Sequence, residues 1–202
     1  DPAESSVRLM LVGGEPGTGV KNTRDRLQGL WGATMAEFYG CTEASPHCGG
    51  YSCPASEAAD GTISTHLMED IQNWELVDPE TNEIVEEGER GLTVCTNLNS
   101  ESSPQLRFLV GDYTTFNKER CDCGRTHVRA VGSFSGRADD LINLRGIKMY
   151  PVQIEEAVRS VPGIGDEYEV VLSTNAEGLD IMSVRVEHEM DVGAAVQDAV
   201  RT

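Results

Sequence analysis

The spacing of apolar positions changes twice along the chain, and each change predicts a different kind of structure. Residues 7–12 form a short apolar run that stops at Gly13, Gly14, Glu15 and Pro16, the pattern of a buried strand ending in a tight turn. Residues 23–31 carry Leu27, Leu30 and Trp31 on one helical face, with Gly32 behind them as a stop signal. Residues 33–38 then predict a second strand that delivers Tyr39 and Gly40 to its tip. A strand, a helix and a strand joined by short connections suggest a parallel βαβ unit, whose ligands gather at the carboxyl ends of its strands.

From Trp74 the texture turns to extended runs separated by turn residues. "WELVDPETNEIV" is two such runs around a proline-containing turn, and "GLTVCTNL" and "QLRFLVGD" add further strands, so a mostly antiparallel region is expected. A third texture begins near Ser135. Pro151 stands at the first position of a predicted helix in which Ile154, Ala157, Val158 and Val161 recur at helical spacing. Residues 168–173 and 179–187 predict a hairpin around "TNAEG", and residues 192–200 a final helix. The expected fold class is therefore α/β followed by a small α+β lobe.

Composition narrows the functional classes. The 202 residues are 39% hydrophobic, which is adequate for a packed core. No apolar run approaches the ~20 residues that cross a bilayer, and no signal peptide opens the chain, so no membrane partner is expected and the location is read as cytoplasmic. The chain begins without Met and enters a strand almost at once, which reads as a fragment of a longer protein. Its net charge is −18, and Lys21, Lys118 and Lys148 are its only lysines, so it lacks the basic stripe that nucleic acid requires. That balance suits a soluble acidic enzyme or a high-salt cytoplasm. Six cysteines clustered beside histidine favour reduced thiols and a metal over a disulfide framework.

Four short stretches carry the chemistry: "GGEP", "EFYGCTE", "RFLVGD" and "GRADDLINLRGIKMYPVQIEE". Singly each is weak, since Tyr39 could be a core aromatic, Asp112 a turn former and Lys148 a solubilising surface residue. In this order they resemble the adenylate-forming superfamily of acyl-CoA ligases, most closely the phenylacetate-CoA ligase family, over nearly the whole chain. The resemblance implies that residues 1–136 are the C-terminal part of the AMP-binding large domain. Residues 137–202 would be an incomplete small mobile lobe. Gly13 and Gly14, with Glu15 and Pro16, would let backbone approach adenine, Tyr39 would offer the base an aromatic face, and Gly40 would permit the turn. Thr42 would bond a phosphate oxygen, and Glu43 would help hold Mg²⁺. Asp112, read as an acid at a loop tip away from apolar burial, would accept the ribose hydroxyls, and Arg137 would meet ribose or phosphate. Asp139 would be the hinge between lobes, and Lys148 would contact phosphate or CoA in one orientation.

"CDCGRTH" sets Cys121 and Cys123 one residue apart, close enough to share a tetrahedral metal. The family pattern, a Cys after the Tyr-Gly motif and a His just before an acidic pair, points to Cys53 and His66 as the other two ligands of a structural Zn²⁺. His47 and Cys48 are rivals, His127 is a more distant one, and buried unliganded thiols are the plain alternative. The superfamily's phosphate loop and catalytic lysine would lie outside this stretch, so the chain alone should bind nucleotide weakly and adenylate poorly. The implied activity is ATP-dependent ligation of an aryl or related carboxylic acid to CoA through an acyl-adenylate. The implied partners are those small molecules, with a homodimer admitted. Two alternatives remain: the same adenylation with a non-CoA acceptor, and a zinc-stabilised binding module without catalysis.

Overall fold

The computed structural model describes residues 1–14, 21–44, 49–59, 61–134, 136–188 and 192–201, and the chain divides into two compact units, Asp1–Asp139 and Asp140–Thr202. In the first unit β1 (Leu9–Val12) runs parallel to β2 (Thr34–Tyr39), and α1 (Lys21–Trp31) connects them. The helix stops where expected: Gly32 adopts φ +61°, and its N–H donates to the Gln28 carbonyl at 2.9 Å. The predicted βαβ unit is present. Its burial differs from expectation, because Leu9 and Leu11 are 60% and 53% exposed. β1 is the terminal strand of its sheet, and among the described residues nothing covers the face that both leucines share. On α1 the same reversal occurs. Leu30 is exposed, whereas Arg24 is 2% exposed, its guanidinium donating to the Gly61 carbonyl (2.6 Å) and to Glu57 (3.3 Å). Supplying acceptors to its donors is what lets a charged side chain occupy the inner face.

The strands that follow are β3 (Gly50–Cys53), β4 (Ser64–Leu67), β5 (Gln72–Val77), β6 (Arg90–Asn97), β7 (Phe108–Asn117) and β8 (Arg129–Ala130). Together with β1 and β2 they make one eight-stranded sheet, in the order β1-β2-β3-β4-β8-β7-β6-β5, and every pairing except β1–β2 is antiparallel. The antiparallel region is therefore continuous with the βαβ unit rather than a separate layer. Strands β3, β4 and β8 are two to four residues long, too short to show a period in the sequence. The core lies on Leu67, Trp74, Leu76, Cys95, Val110 and Phe116, with Tyr39, Cys41 and Phe134 packed against it.

In the second unit β9 (Ile142–Leu144) and β10 (Ile147–Met149) form a tight hairpin. Its turn residues, Arg145 (φ +53°) and Gly146 (φ +88°), both take the left-handed backbone that two-residue hairpins require. α2 (Pro151–Arg159) starts at Pro151, and the Gln153 side chain accepts the Tyr150 N–H at 2.8 Å. The predicted hairpin is β11 (Ile164–Thr174) with β12 (Asp180–His188), and α3 (Gly193–Arg201) follows. Ile154, Val158 and Val161 meet Val192 and Val196 in this unit's core. Among the described residues no helix is long and apolar enough to cross a membrane.

Candidate nucleotide site and metal centre

β2 and β7 lie apart in sheet order, yet their side chains meet. The Tyr39 hydroxyl donates to Asp112 Oδ2 at 2.6 Å, and Arg137 Nη1 donates to Asp112 Oδ1 at 3.3 Å. Asp112 is not at a loop tip, as the sequence suggested. It sits inside β7, 8% exposed, at a bulge where the β6–β7 register shifts between Leu92 and Val94. Gly111 makes the bulge possible with φ +88°, and Thr93 fixes it by donating its hydroxyl to the Asp112 carbonyl at 3.0 Å. Bulges re-aim side chains, and this one supports the carboxylate's turn toward Tyr39 and Arg137.

Burial, followed by the Asp112 carboxylate, pushes the Tyr39 phenol well above its ordinary pKa, so it remains a donor at neutral pH. Phe134 stacks on the Tyr39 ring at 3.4 Å between centroids, and Trp74 flanks it at 5.9 Å with a 51° tilt. One aromatic face is thus already covered within the chain. Arg137 also forks onto Asp139, from Nε to Oδ1 at 2.9 Å and from Nη2 to Oδ2 at 3.1 Å, and these bonds hold Asp139 below the usual carboxylate pKa.

The remaining candidates occupy simpler places. Thr42 and Glu43 are exposed in the turn after β2, and the buried Ala44 carbonyl beside them accepts from Gln72 Nε2 at 2.9 Å. Gly40 is exposed and does not have a left-handed backbone, whereas Gly14 has φ +91°. A Cβ on Gly13 would lie 2.6 Å from the Phe38 ring and 2.7 Å from its carbonyl oxygen, so packing within the chain already demands glycine there. Lys148 is exposed on β10 in the second unit. Glu15, Pro16, His47 and Cys48 lie outside the described residues.

Cys53, His66, Cys121 and Cys123 converge, with their ligand atoms all within 4.8 Å of one another. The β3–β4 hairpin brings Cys53 and His66 together. Cys121 and Cys123 sit in a turn closed by the Gly124 N–H on the Cys121 carbonyl (2.8 Å) and by Gly124 at φ +91°. Cys53 Sγ lies 4.0 Å from Cys121 Sγ, and Cys123 Sγ lies 3.4 Å from His66 Nε2. A tetrahedral ion with Zn–S bonds of about 2.3 Å and a Zn–N bond of about 2.0 Å separates its ligands by roughly 3.5–3.8 Å. His66 Nδ1 is 3.3 Å from the His127 carbonyl, the contact that fixes a histidine with Nε2 as the ligand atom. Burial lowers the His66 pKa, which favours the neutral ring that ligation needs. Cys123 is lowered to about 7, first by the Arg125 backbone N–H and then by its guanidinium. The donor set and spacing fit Zn²⁺. His127 itself is outside the cluster, with its ring 3.3 Å from Asp70.

Residues 146–201 match the family described as AMP-binding enzyme C-terminal domain. The phenylacetate-coenzyme A ligase of Thermus thermophilus is 35% identical over 187 residues, which are 92% of this chain and 40% of that protein. The chain belongs to the phenylacetate-CoA ligase family. The ligase of the same name from Pseudomonas putida is 31% identical over 93% of the chain and 40% of its own length. A crystal structure of 2-hydroxyisobutyryl-CoA ligase in the postadenylation state, in complex with 2-HIB-AMP, superposes with a TM-score of 0.83 at 30% identity, covering 99% of this chain and 41% of that one. The chain thus spans about two-fifths of the length of these relatives.

In this phenylacetate-CoA ligase-family chain the sequence reading missed the residues that support the sites. Phe134 and Trp74 bracket Tyr39, and nothing about either position in sequence marks it as a partner. Glu69 accepts the Val128 N–H at 2.7 Å and Asp70 meets His127, so the acidic pair after His66 ties down the cysteine turn. Glu37, 4% exposed on β2, accepts from the Ser133 hydroxyl at 2.9 Å. The "EFYG" stretch held the only sequence signal of that contact, a charged residue at a strand position.

Proposed function

We propose that the full-length protein is an AMP-forming acid–thiol ligase that activates an aryl or related carboxylic acid with ATP through an acyl-adenylate and transfers the acyl group to CoA. The observation that carries this reading is the meeting of Tyr39, Asp112 and Arg137 across strands β2 and β7. A carboxylate is an acceptor-only group with about four lone-pair sites, the chemistry that suits Asp112 to a ribose hydroxyl. Arg137 supplies positive charge beside it, where a nucleotide's phosphate negative charge must be offset. Gly13 and Gly14 line the turn after β1, Thr42 serves as a phosphate donor, and exposed Glu43 serves as a ligand for Mg²⁺, a hard cation that prefers carboxylate and water. Lys148 contacts phosphate or CoA from the second unit, and Asp139, at the boundary of the two units, acts as the hinge. Zn²⁺ would be held by Cys53, His66, Cys121 and Cys123 as a structural ion that closes this part of the fold, with no open position for catalysis.

The test is pyrophosphate release by the full-length protein with a panel of aryl carboxylic acids, with and without CoA. Acid-dependent pyrophosphate together with a CoA thioester supports the ligase. Pyrophosphate without thioester points to another acceptor, and no acid-dependent pyrophosphate at all overturns the reading in favour of a binding module.

A further inference from the structure

The geometry points to Arg137 as a positioning residue that couples nucleotide occupancy at Asp112 to the backbone at the boundary between the two units. The inference rests on the reading of Asp112 as the ribose acceptor. Its observation is separate: one guanidinium is shared by two carboxylates with different tasks. Nη1 reaches buried Asp112 at 3.3 Å, while Nε and Nη2 form a two-pronged fork on exposed Asp139 at 2.9 and 3.1 Å. Asp139 is the last residue of the first unit and lies in the 3₁₀ turn Ala138–Asp140.

A planar guanidinium holds its donors in fixed directions, so it cannot optimise both contacts independently. The fork on Asp139 is the shorter pair, at 2.9 and 3.1 Å against 3.3 Å to Asp112, and it keeps the Asp112 contact long. Turning the backbone about φ of Asp139 carries that carboxylate away and breaks the fork. The guanidinium then closes on Asp112, whose Oδ2 already accepts from Tyr39, and competes with ribose hydroxyls for Oδ1. In the other direction, a ribose hydroxyl on Oδ1 displaces Nη1 and strengthens the fork. Nucleotide therefore favours the backbone shown here at Asp139, and by linkage this backbone favours nucleotide.

Calorimetric titration of AMP into the full-length protein and three variants tests the coupling. Asp139→Asn removes the fork's charge and one of its two acceptors while keeping the side chain's size, and it should weaken AMP binding by about five-fold or more, the low end of typical coupling. Arg137→Lys keeps a positive charge near Asp112 without the fork geometry. In that background Asp139→Asn should have no further effect. A structural role alone would make the two single changes add, and additivity overturns the proposal, as does an unchanged AMP affinity in Asp139→Asn. A second readout is amide hydrogen exchange at residues 138–141. AMP should slow exchange there in the wild type and not in Arg137→Lys, and equal slowing in both overturns the coupling. Wild type that fails to bind AMP fails the ribose reading itself, which is distinct from additive variants in a protein that binds.

Discussion

Across β2 and β7, Tyr39 and Arg137 donate to Asp112, whereas at Cys53, His66, Cys121 and Cys123 four lone-pair atoms face each other. The first cluster holds together through bonds within the chain and can exchange partners when a ligand arrives. Its members are held by a bulge, a hydroxyl–carboxylate bond and ring stacking, each of modest strength. The second is suited to a cation, because thiolates converging with an imidazole nitrogen would repel until positive charge sat among them. The first cluster should therefore govern affinity at moderate cost to stability, and the second should govern stability.

The largest expected effect breaks the second cluster. Purified protein should contain one zinc per chain, and Cys121→Ser should lose it. If the loss removes about 4 kcal/mol of stability, the melting temperature of a chain this size falls by roughly 8–16 °C. Elemental analysis and thermal melts measure both, and a variant with full metal content and an unchanged melt would make the cysteines ordinary core thiols.

Asp112→Ala sharpens the contrast, because here both quantities should move. The sequence placed Asp112 at a loop tip away from apolar burial, where such a change would leave the melt nearly unaltered, but the structure buries the carboxylate against Tyr39 and Arg137. Leaving the Tyr39 hydroxyl and Arg137 without it should cost about 1–3 kcal/mol, seen in a denaturant melt, alongside weaker ATP binding. A variant that lost ATP affinity with no change in the melt would return Asp112 to the role of a purely exposed ligand group.

Gly13→Ala asks whether the turn after β1 serves the ligand or the fold. With Phe38 atoms 2.6–2.7 Å from the added Cβ, the overpacking should destabilise the chain by about 1–3 kcal/mol. Unchanged stability with weakened nucleotide binding would favour the ligand.

The smallest effect is the alkaline titration of Tyr39. Its pKa is raised in the folded state, so its contribution is fully present below the unfolded tyrosine value near ~10 and is lost as pH rises through the higher folded value. Tyrosinate absorbance should show a late-titrating fraction that Tyr39→Phe removes. Its absence would mean that neither the burial of Tyr39 nor its bond to Asp112 persists in solution.

Legibility in the sequence followed the range of the interactions. Helix α1, its Gly32 stop, the start of α2 at Pro151 and the β11–β12 hairpin are encoded by neighbours a few residues apart, and each was read directly. The four metal-binding candidates were legible through the Cys-x-Cys spacing together with the family pattern. Burial was less legible. Leu30 is out and Arg24 is in because loop atoms 33–37 residues away supply the arginine's acceptors.

The sequence by itself determined the order of elements, the acidic surface, the motif residues and the family they resemble, since local spacing and residue chemistry suffice for these. Only the tertiary structure decided that Asp112 is a buried acid on a bulge, that Phe134 covers Tyr39, and that Glu69 and Asp70 hold the cysteine turn. Those contacts join residues 19–95 positions apart, and the pairing of β2 with β3 and of β4 and β7 with β8 brings their strands into one sheet. No local period records such a distance, because it is set by which strands share hydrogen bonds and not by which residues are neighbours along the chain.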